Sequence, residues 1–450
     1  MIDSVIISNK WQGKRLAYAS LILLLNAAGF LYFIYFLNDN GYLPSPFIND
    51  KSDTFMDLFN VLYWAYDDGR YTDWATVYPP LSFMILKIVN FVFAGGGYGD
   101  PANMRDNSQF AIVGICLTYL AIPAIILKTR LWQDFLKPEK ILIYFSIILS
   151  SPMLFTLERG NLILLTPVLL ALAISKIGMT RCIFIALLIN IKPYFALLLI
   201  YYIARQNWKG LATASVLSGL IFAILGLAID DNFFSFFSNL LNFSQEAALF
   251  SLREVMALPS SISAFSYVLK HPDGAMFAAD YLSSDSLIMI VYSIETIKWC
   301  IIAIALAALF MKSKQLRDSE IFTLLVIATC NLGIWVGGYT FILYITLIPI
   351  FIKLRVKWIY IGLLSLIAMP LDVIPIIVAF IGEQYSYLAT AHINIWWTLG
   401  LGSVIRPIAN LILLLFLSRE FLARKNENTN NNTVHQAGVF VNGSELVERR

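Results

Sequence analysis

Pro79-Pro-Leu-Ser-Phe-Met-Ile-Leu-Lys-Ile-Val-Asn-Phe-Val-Phe-Ala-Gly95 is apolar enough to enter a membrane, yet shorter than the roughly 20 residues a helical crossing requires. Its status decides the side on which every later loop falls, so the rest of the chain has to arbitrate. Twelve other apolar blocks read as candidate spans: 17–37, 109–128, 141–157, 162–176, 182–191, 193–204, 210–229, 286–311, 320–336, 340–353, 358–381 and 395–417. If 79–95 does not cross, 22 of the 32 Lys and Arg share one side with both termini, and 18 of the 29 acids lie on the other. Cationic loops stay in the cytoplasm. A thirteenth crossing would export Lys128, Arg130, Lys137 and Lys140, so 79–95 is expected to be a re-entrant or interface-lying helix.

Composition agrees with this reading. Hydrophobic residues make up 59% of the 450 and charged residues only 14%, with a mean hydropathy of +0.72, which excludes a soluble chain. A net charge of +3 without a clustered basic face gives nucleic acid no footing. Cys116, Cys182, Cys300 and Cys330 sit in apolar blocks without metal-ligand or disulfide spacing and read as small hydrophobes. The expectation is an all-α polytopic membrane protein: one transmembrane domain over 1–424, and a polar, disordered cytoplasmic tail over 425–450. The first apolar stretch stays as an anchor, since no small-residue cleavage site follows it.

The blocks 182–191 and 193–204 are each too short to span. Joined, they would put Lys192 at mid-membrane at a cost of roughly 3 kcal/mol. Two half-length helices meeting at Lys192-Pro193 avoid this, provided that the turn lines a wet cavity. Two external loops are long, about 38–108 and 230–285. The second opens with Asn232-Phe-Phe-Ser-Phe-Phe-Ser-Asn-Leu-Leu-Asn242, whose apolar and polar faces separate at helical spacing and predict an interfacial helix.

Candidate chemistry starts in the first loop. Asp53 and Asp57 are four apart, on one face if helical, and like charges so close raise one pKa toward the range of a general base. Equally, they read as two solvated acids. Thr156-Leu-Glu-Arg-Gly-Asn161 interrupts two spans; an Arg at that depth needs an anionic partner, and Glu158 is available. Arg159 and Lys192 then bring two cations to the edge that carries the acidic loop, which suits a phosphate leaving group beside an acid-base group. Tyr63, Trp64, Tyr66, Tyr71, Trp74 and Tyr78 suit sugar stacking or an interfacial aromatic belt. His271 and His392 fall in external loops and His435 in the tail.

Asp57, then Gly69, Tyr78-Pro-Pro-Leu81 opening a helix, Glu158-Arg-Gly-Asn161, and Ile191-Lys-Pro193 before a basic turn with Trp208 follow one another in an order that resembles the GT-C class of integral membrane glycosyltransferases. The nearest likeness is to the polyprenol-phosphate-mannose-dependent mannosyltransferases that build phosphatidylinositol mannosides. It covers roughly residues 15–210, with the helix pattern alone beyond. The resemblance implies a polyprenyl phosphate sugar donor, inversion at the anomeric carbon, a lipid-linked or cell-envelope glycan acceptor, and catalysis on the external face of a bacterial inner membrane. It makes Asp57 the catalytic base, with Asp53 as runner-up. Arg159 and Lys192 would bind the donor phosphate, supported by Glu158, Asn161 and Tyr78. No cofactor is required for a donor phosphodiester with one negative charge, although Asp53 and Asp57 leave room for a divalent cation. Departures are Pro259-Ser-Ser-Ile-Ser263, where such enzymes often carry Asn-Ser, and Gly337-Gly-Tyr-Thr-Phe341 in place of a histidine-bearing segment. A lipid-linked oligosaccharide transporter or flippase and a polysaccharide polymerase are the competing readings. Against the first, charges sit at the span rims and no internal repeat appears; Glu295, Lys298, Asp372 and Arg406 are the exceptions.

Overall fold

The computed structural model describes residues 2–93, 99–245, 251–271 and 283–424; the tail expected to be disordered lies outside the described residues. Helices dominate. Among the described residues five are long and apolar enough to cross a membrane: Gly13–Asn40 within the first helix, Gln109–Leu127, Trp208–Ile229, Ser284–Lys312 and Leu401–Leu422. A sixth crossing arises if Lys137–Ile148 and Ser151–Arg159, bent by 53°, count as one. The bend has a local cause: Ser150 is extended, and Pro152 at the start of the second piece has no amide hydrogen to continue the first.

The remaining apolar blocks form shorter pieces. Gly178–Ile191 and Pro193–Ala204 meet at Lys192, whose extended backbone (φ −140°, ψ 116°) separates them as expected. The blocks 320–336 and 340–353 become a helix at Asp318–Cys330, 3-10 turns at Ile334–Val336 and Gly338–Thr346 and a short helix at Ile348–Phe351, so neither is a continuous span. Pro80–Phe93 is a helix of 14 residues, about 21 Å long, too short for a crossing.

The span expected at 358–381 is corrected. Its helix ends at Ala368, and Pro375–Tyr385 pairs antiparallel with His392–Gly400 in a two-stranded sheet, so the last crossing starts at Leu401. Pro370 ends the helix, and Ile376, Ile377, Val378 and Phe380 favour an extended backbone; an apolar run does not by itself distinguish the two. Gly382 supplies the positive φ (123°) at the bulge.

The core runs along the bundle axis through Leu170, Ile185, Phe195, Phe322, Leu343 and Leu413, all fully buried. At one end of the bundle Arg15 pairs with Glu139 at 3.0 Å, Arg181 and Arg205 both hold Asp318 at 2.7 and 2.8 Å, and Arg424 holds Glu320 at 2.8 Å. The opposite end carries the long loops and the hairpin. There Arg70, 1% exposed, ties Trp64 and Ile229 carbonyls and Asp230 together, fastening the first loop to the end of Trp208–Ile229.

Glu295, Lys298, Asp372 and Arg406 form two pairs. Lys298 meets Glu295 at 2.7 Å and donates to Ser263 Oγ at 2.7 Å. Asp372 and Arg406, both without solvent exposure, make a two-pronged pair that locks the base of the hairpin onto the last helix.

Candidate active site

Three chain breaks assemble the site. Phe55 adopts a left-handed backbone (φ 64°) and donates its amide to Glu158 O at 2.7 Å, which fixes the start of helix Met56–Tyr66 against the end of Ser151–Arg159. Gly160 ends that second helix with φ 66°; a Cβ there would lie 3.0 Å from Leu58 Cβ, so glycine permits both the turn and the close approach. Asp53 and Asp57 therefore flank Arg159.

The Arg159 guanidinium pairs with the Asp53 carboxylate through Nη1 and donates to Asp57 Oδ1 through Nη2 at 2.6 Å. Asn161 completes Asp57: its Oδ1 accepts from Ile163 N at 3.0 Å, which turns its Nδ2 toward Asp57 Oδ2 at 2.8 Å. The two aspartates differ as a result. Burial pushes Asp53 up and outweighs the pull of Arg159. Burial would raise Asp57 too, but Arg159 and Asn161 hold its carboxyl below the usual carboxylate range. Asp57 is thus ionised at neutral pH, with one oxygen on a cation and the other on an amide.

Glu158 does not pair with Arg159. It is 6% exposed, and neither carboxyl oxygen has a hydrogen-bond partner among the described residues. Successive helix residues point about 100° apart, so Glu158 and Arg159 cannot serve the same side.

Lys192 arrives from the break between half-helices. Ser82 Oγ, in the first turn of Pro80–Phe93, donates to Ile191 O at 3.1 Å, a carbonyl freed by that break. This anchors Tyr78 beside the break, with Lys192 Nζ 4.2 Å from its ring centre, in reach of a cation–π contact.

Asp57, Arg159, Asn161, Lys192 and Tyr78 all line one cavity of about 540 Å³, within the range that takes a small organic ligand. Asp53 is not on its wall. Trp64 and Trp74 are, whereas Tyr71 is buried in the core beneath and Tyr63 packs edge-on against Trp74. The helix expected at the start of the second loop forms at Ser235–Gln245, with part of its polar face turned to the cavity and Ser238 exposed. Asn239 and Asn242 line the cavity, and Asn239 donates to Tyr71 O at 2.9 Å. Phe233 and Phe236 are buried against Phe222 while Phe234, Phe237 and Leu241 stay exposed.

Tyr339 is the residue that charge-based reading missed. It lines the cavity, and its ring centre lies 5.9 Å from Lys192 Nζ. Its signal in the sequence was its place in Gly337-Gly-Tyr339, where the close pass of Gly338 under the Leu258 carbonyl admits no side chain. His271 and His392 are not on the cavity wall. Among the described residues no three His, Cys, Asp or Glu side chains are grouped to hold a metal ion; the facing sides of Asp53 and Asp57 are taken by Arg159. A second hollow, about 170 Å³, has nearly all-apolar walls, and its charged residues, Arg15 and Glu139, pair with each other.

No curated protein and no solved structure matches the chain. The family model of glycosyltransferase family 87 matches residues 77–332, more than half of the chain, a stretch that includes Arg159, Lys192 and the cavity wall from Asn239 to Ser261 and stops short of Asp57 and Tyr339. The chain belongs to glycosyltransferase family 87, a GT-C-like family of membrane glycosyltransferases.

Proposed function

We propose that the protein transfers a hexose from a polyprenyl phosphate donor to a lipid-linked or envelope glycan acceptor, with inversion, on the external face of a bacterial inner membrane. Asp57 is the general base. The observation that carries this reading is the pairing of Asp57 with Arg159 on the wall of a cavity that also presents Lys192, with Asp53 holding the same guanidinium from outside that wall. The acceptor oxygen attacks the anomeric carbon as the bond from that carbon to the phosphate oxygen breaks. The polyprenyl phosphate leaves with the bonding pair, and Asp57 takes the acceptor's proton.

Arg159 and Lys192 neutralise the phosphate as it gains charge. A donor phosphate that draws on the Arg159 guanidinium leaves Asp57 less neutralised, so the basicity of Asp57 rises when the donor is bound. Position favours Asp57 over Asp53, because Asp57 alone of the two borders the cavity. Asp53 acts on Arg159 from behind. Glu158 serves through its backbone carbonyl, and Asn161 and Tyr78 orient Asp57 and Lys192.

Both termini and the basic end of the bundle are assigned to the cytoplasm by the positive-inside rule, and the cavity to the opposite face. The pairing of Glu295 with Lys298 and of Asp372 with Arg406 argues against a charged conduction path, and so against a transporter. Membranes containing the protein, incubated with a panel of polyprenyl phosphate hexoses, mannose first among them, test the proposal. A glycosylated lipid or glycan product with inverted configuration supports it; transfer only from nucleotide sugars overturns it.

A further inference from the structure

At the end of the bundle away from the sugar-transfer cavity, cations from three chain segments border one hollow of about 210 Å³. Arg130 opens the 3-10 turn Arg130–Trp132, just beyond the crossing Gln109–Leu127; Arg317 caps the helix Asp318–Cys330; Lys353 follows the short helix Ile348–Phe351. Gln133, Ser175 and Ser319 add polar groups, and among the described residues no acid lies on the wall. Trp132, without solvent exposure, anchors the turn that carries Arg130 in the core, so that side of the hollow is fixed.

The cations keep donors to spare. Arg317 gives its Nη2 to Glu320 at 2.8 Å and Lys353 gives its ammonium to Asp134 at 2.7 Å, whereas Arg130 has no ion pair among the described residues. Arginine and lysine each carry several N–H groups, so most of these donors stay available. They are also within reach: Arg130 is exposed, and the side chains of Arg317 and Lys353 are 54% and 45% exposed. Neighbouring acids do not cancel the charge, for Asp318 is shared by Arg181 and Arg205, and Glu320 by Arg317 and Arg424. Ser319 stands in the first turn of a 13-residue helix, whose N-terminal dipole favours an anion as well.

A wall of donors without a negative charge selects an anion, and guanidinium forks beside an ammonium match the oxygens of a phosphate. The volume limits what else the anion carries. Pockets for drug-sized ligands run to about 300–1,000 Å³, so a nucleotide is too large here and a phosphate on a small headgroup is not. The positive-inside rule accounts for Lys and Arg at this end, but it asks neither for a shared hollow nor for a wall free of acids.

We propose that this hollow binds a phosphate group, borne by an anionic lipid headgroup or by a small soluble phosphate ester. The site is separate from the sugar-transfer cavity and does not rest on the donor reading. The full chain, purified in dodecyl maltoside, is titrated with dioleoylphosphatidylglycerol by native mass spectrometry, and with sn-glycerol 3-phosphate and inorganic phosphate by equilibrium dialysis. One saturable site is expected. Arg130→Gln and Lys353→Gln should each weaken it about tenfold, the lower end of what a hydrogen bond to a charged group is worth. Lys137→Gln removes an exposed cation that is not on the wall and should leave the affinity unchanged. Saturation by phosphatidylglycerol alone identifies a lipid, and saturation by the soluble probes identifies a free phosphate compound. No saturable binding of any probe, equal weakening by Lys137→Gln, or unchanged affinity in both Arg130→Gln and Lys353→Gln overturns the proposal.

Discussion

Arg159→Ala removes the cation between Asp53 and Asp57, and its consequences follow from the geometry. The Arg159 side chain is 9% exposed and the two aspartates 28% and 22%. Breaking a buried pair costs about 3–5 kcal/mol, and the partial exposure of the carboxylates puts this one near 3 kcal/mol. With about 2.1 cal/mol/K of unfolding entropy per residue, that is a fall of about 3 °C in Tm for a chain of this length at neutral pH. The pH profile is more telling than the fall. In the wild type Asp57 has a depressed pKa, so its contribution is present above the unfolded value and is lost as pH falls through the folded one. Without Arg159, burial and the neighbouring Asp53 push Asp57 above its unfolded value instead. The variant should therefore gain stability relative to wild type as pH is lowered from 7 to 5, as its raised carboxyls take up protons. Thermal unfolding in detergent across pH 4–8 measures this. A variant profile parallel to that of the wild type would refute the electrostatic account of the aspartate pair.

Other outcomes follow from the same structure. Gly160→Ala forces a Cβ at φ 66° to within 3.0 Å of Leu58, and should cost about 1–2 kcal/mol of stability with a loss of activity; unchanged activity and Tm would count against the tight turn. Lys192→Ala should weaken use of the donor more than of the acceptor, with kcat/KM for the donor down about 100-fold; an effect confined to acceptor KM contradicts the phosphate role. A cysteine placed between Lys128 and Lys140 should resist an impermeant thiol reagent added outside intact cells; labelling there would reverse the sidedness and make 79–95 a crossing.

The charged half of the site was legible from sequence because charge is scarce in an apolar chain. Arg159 and Lys192 stood out as cations at the rim of short apolar blocks, and the acids of the first loop were their only dense counterpart. What stayed hidden was neutral. Tyr339 belongs to a residue type that lines any membrane bundle, and only the juxtaposition of 192–194, 258–261 and 337–339 brings it to the cavity. The failure of Glu158 to pair with Arg159 depends on helix phase, which the motif alone does not reveal. Hydropathy places the two strands of the hairpin at Pro375–Gly400 partly inside the expected spans 358–381 and 395–417, because it does not distinguish β-branched apolar runs from helical ones.

The most direct measurement of the central claim is transfer by Asp57→Asn, with donor binding measured alongside. The account predicts turnover lowered by about 1000-fold, within the range for loss of a general base, while affinity for a farnesyl phosphate hexose stays within a few-fold because Arg159 and Lys192 remain. Turnover at the wild-type rate in a folded Asp57→Asn protein would contradict it.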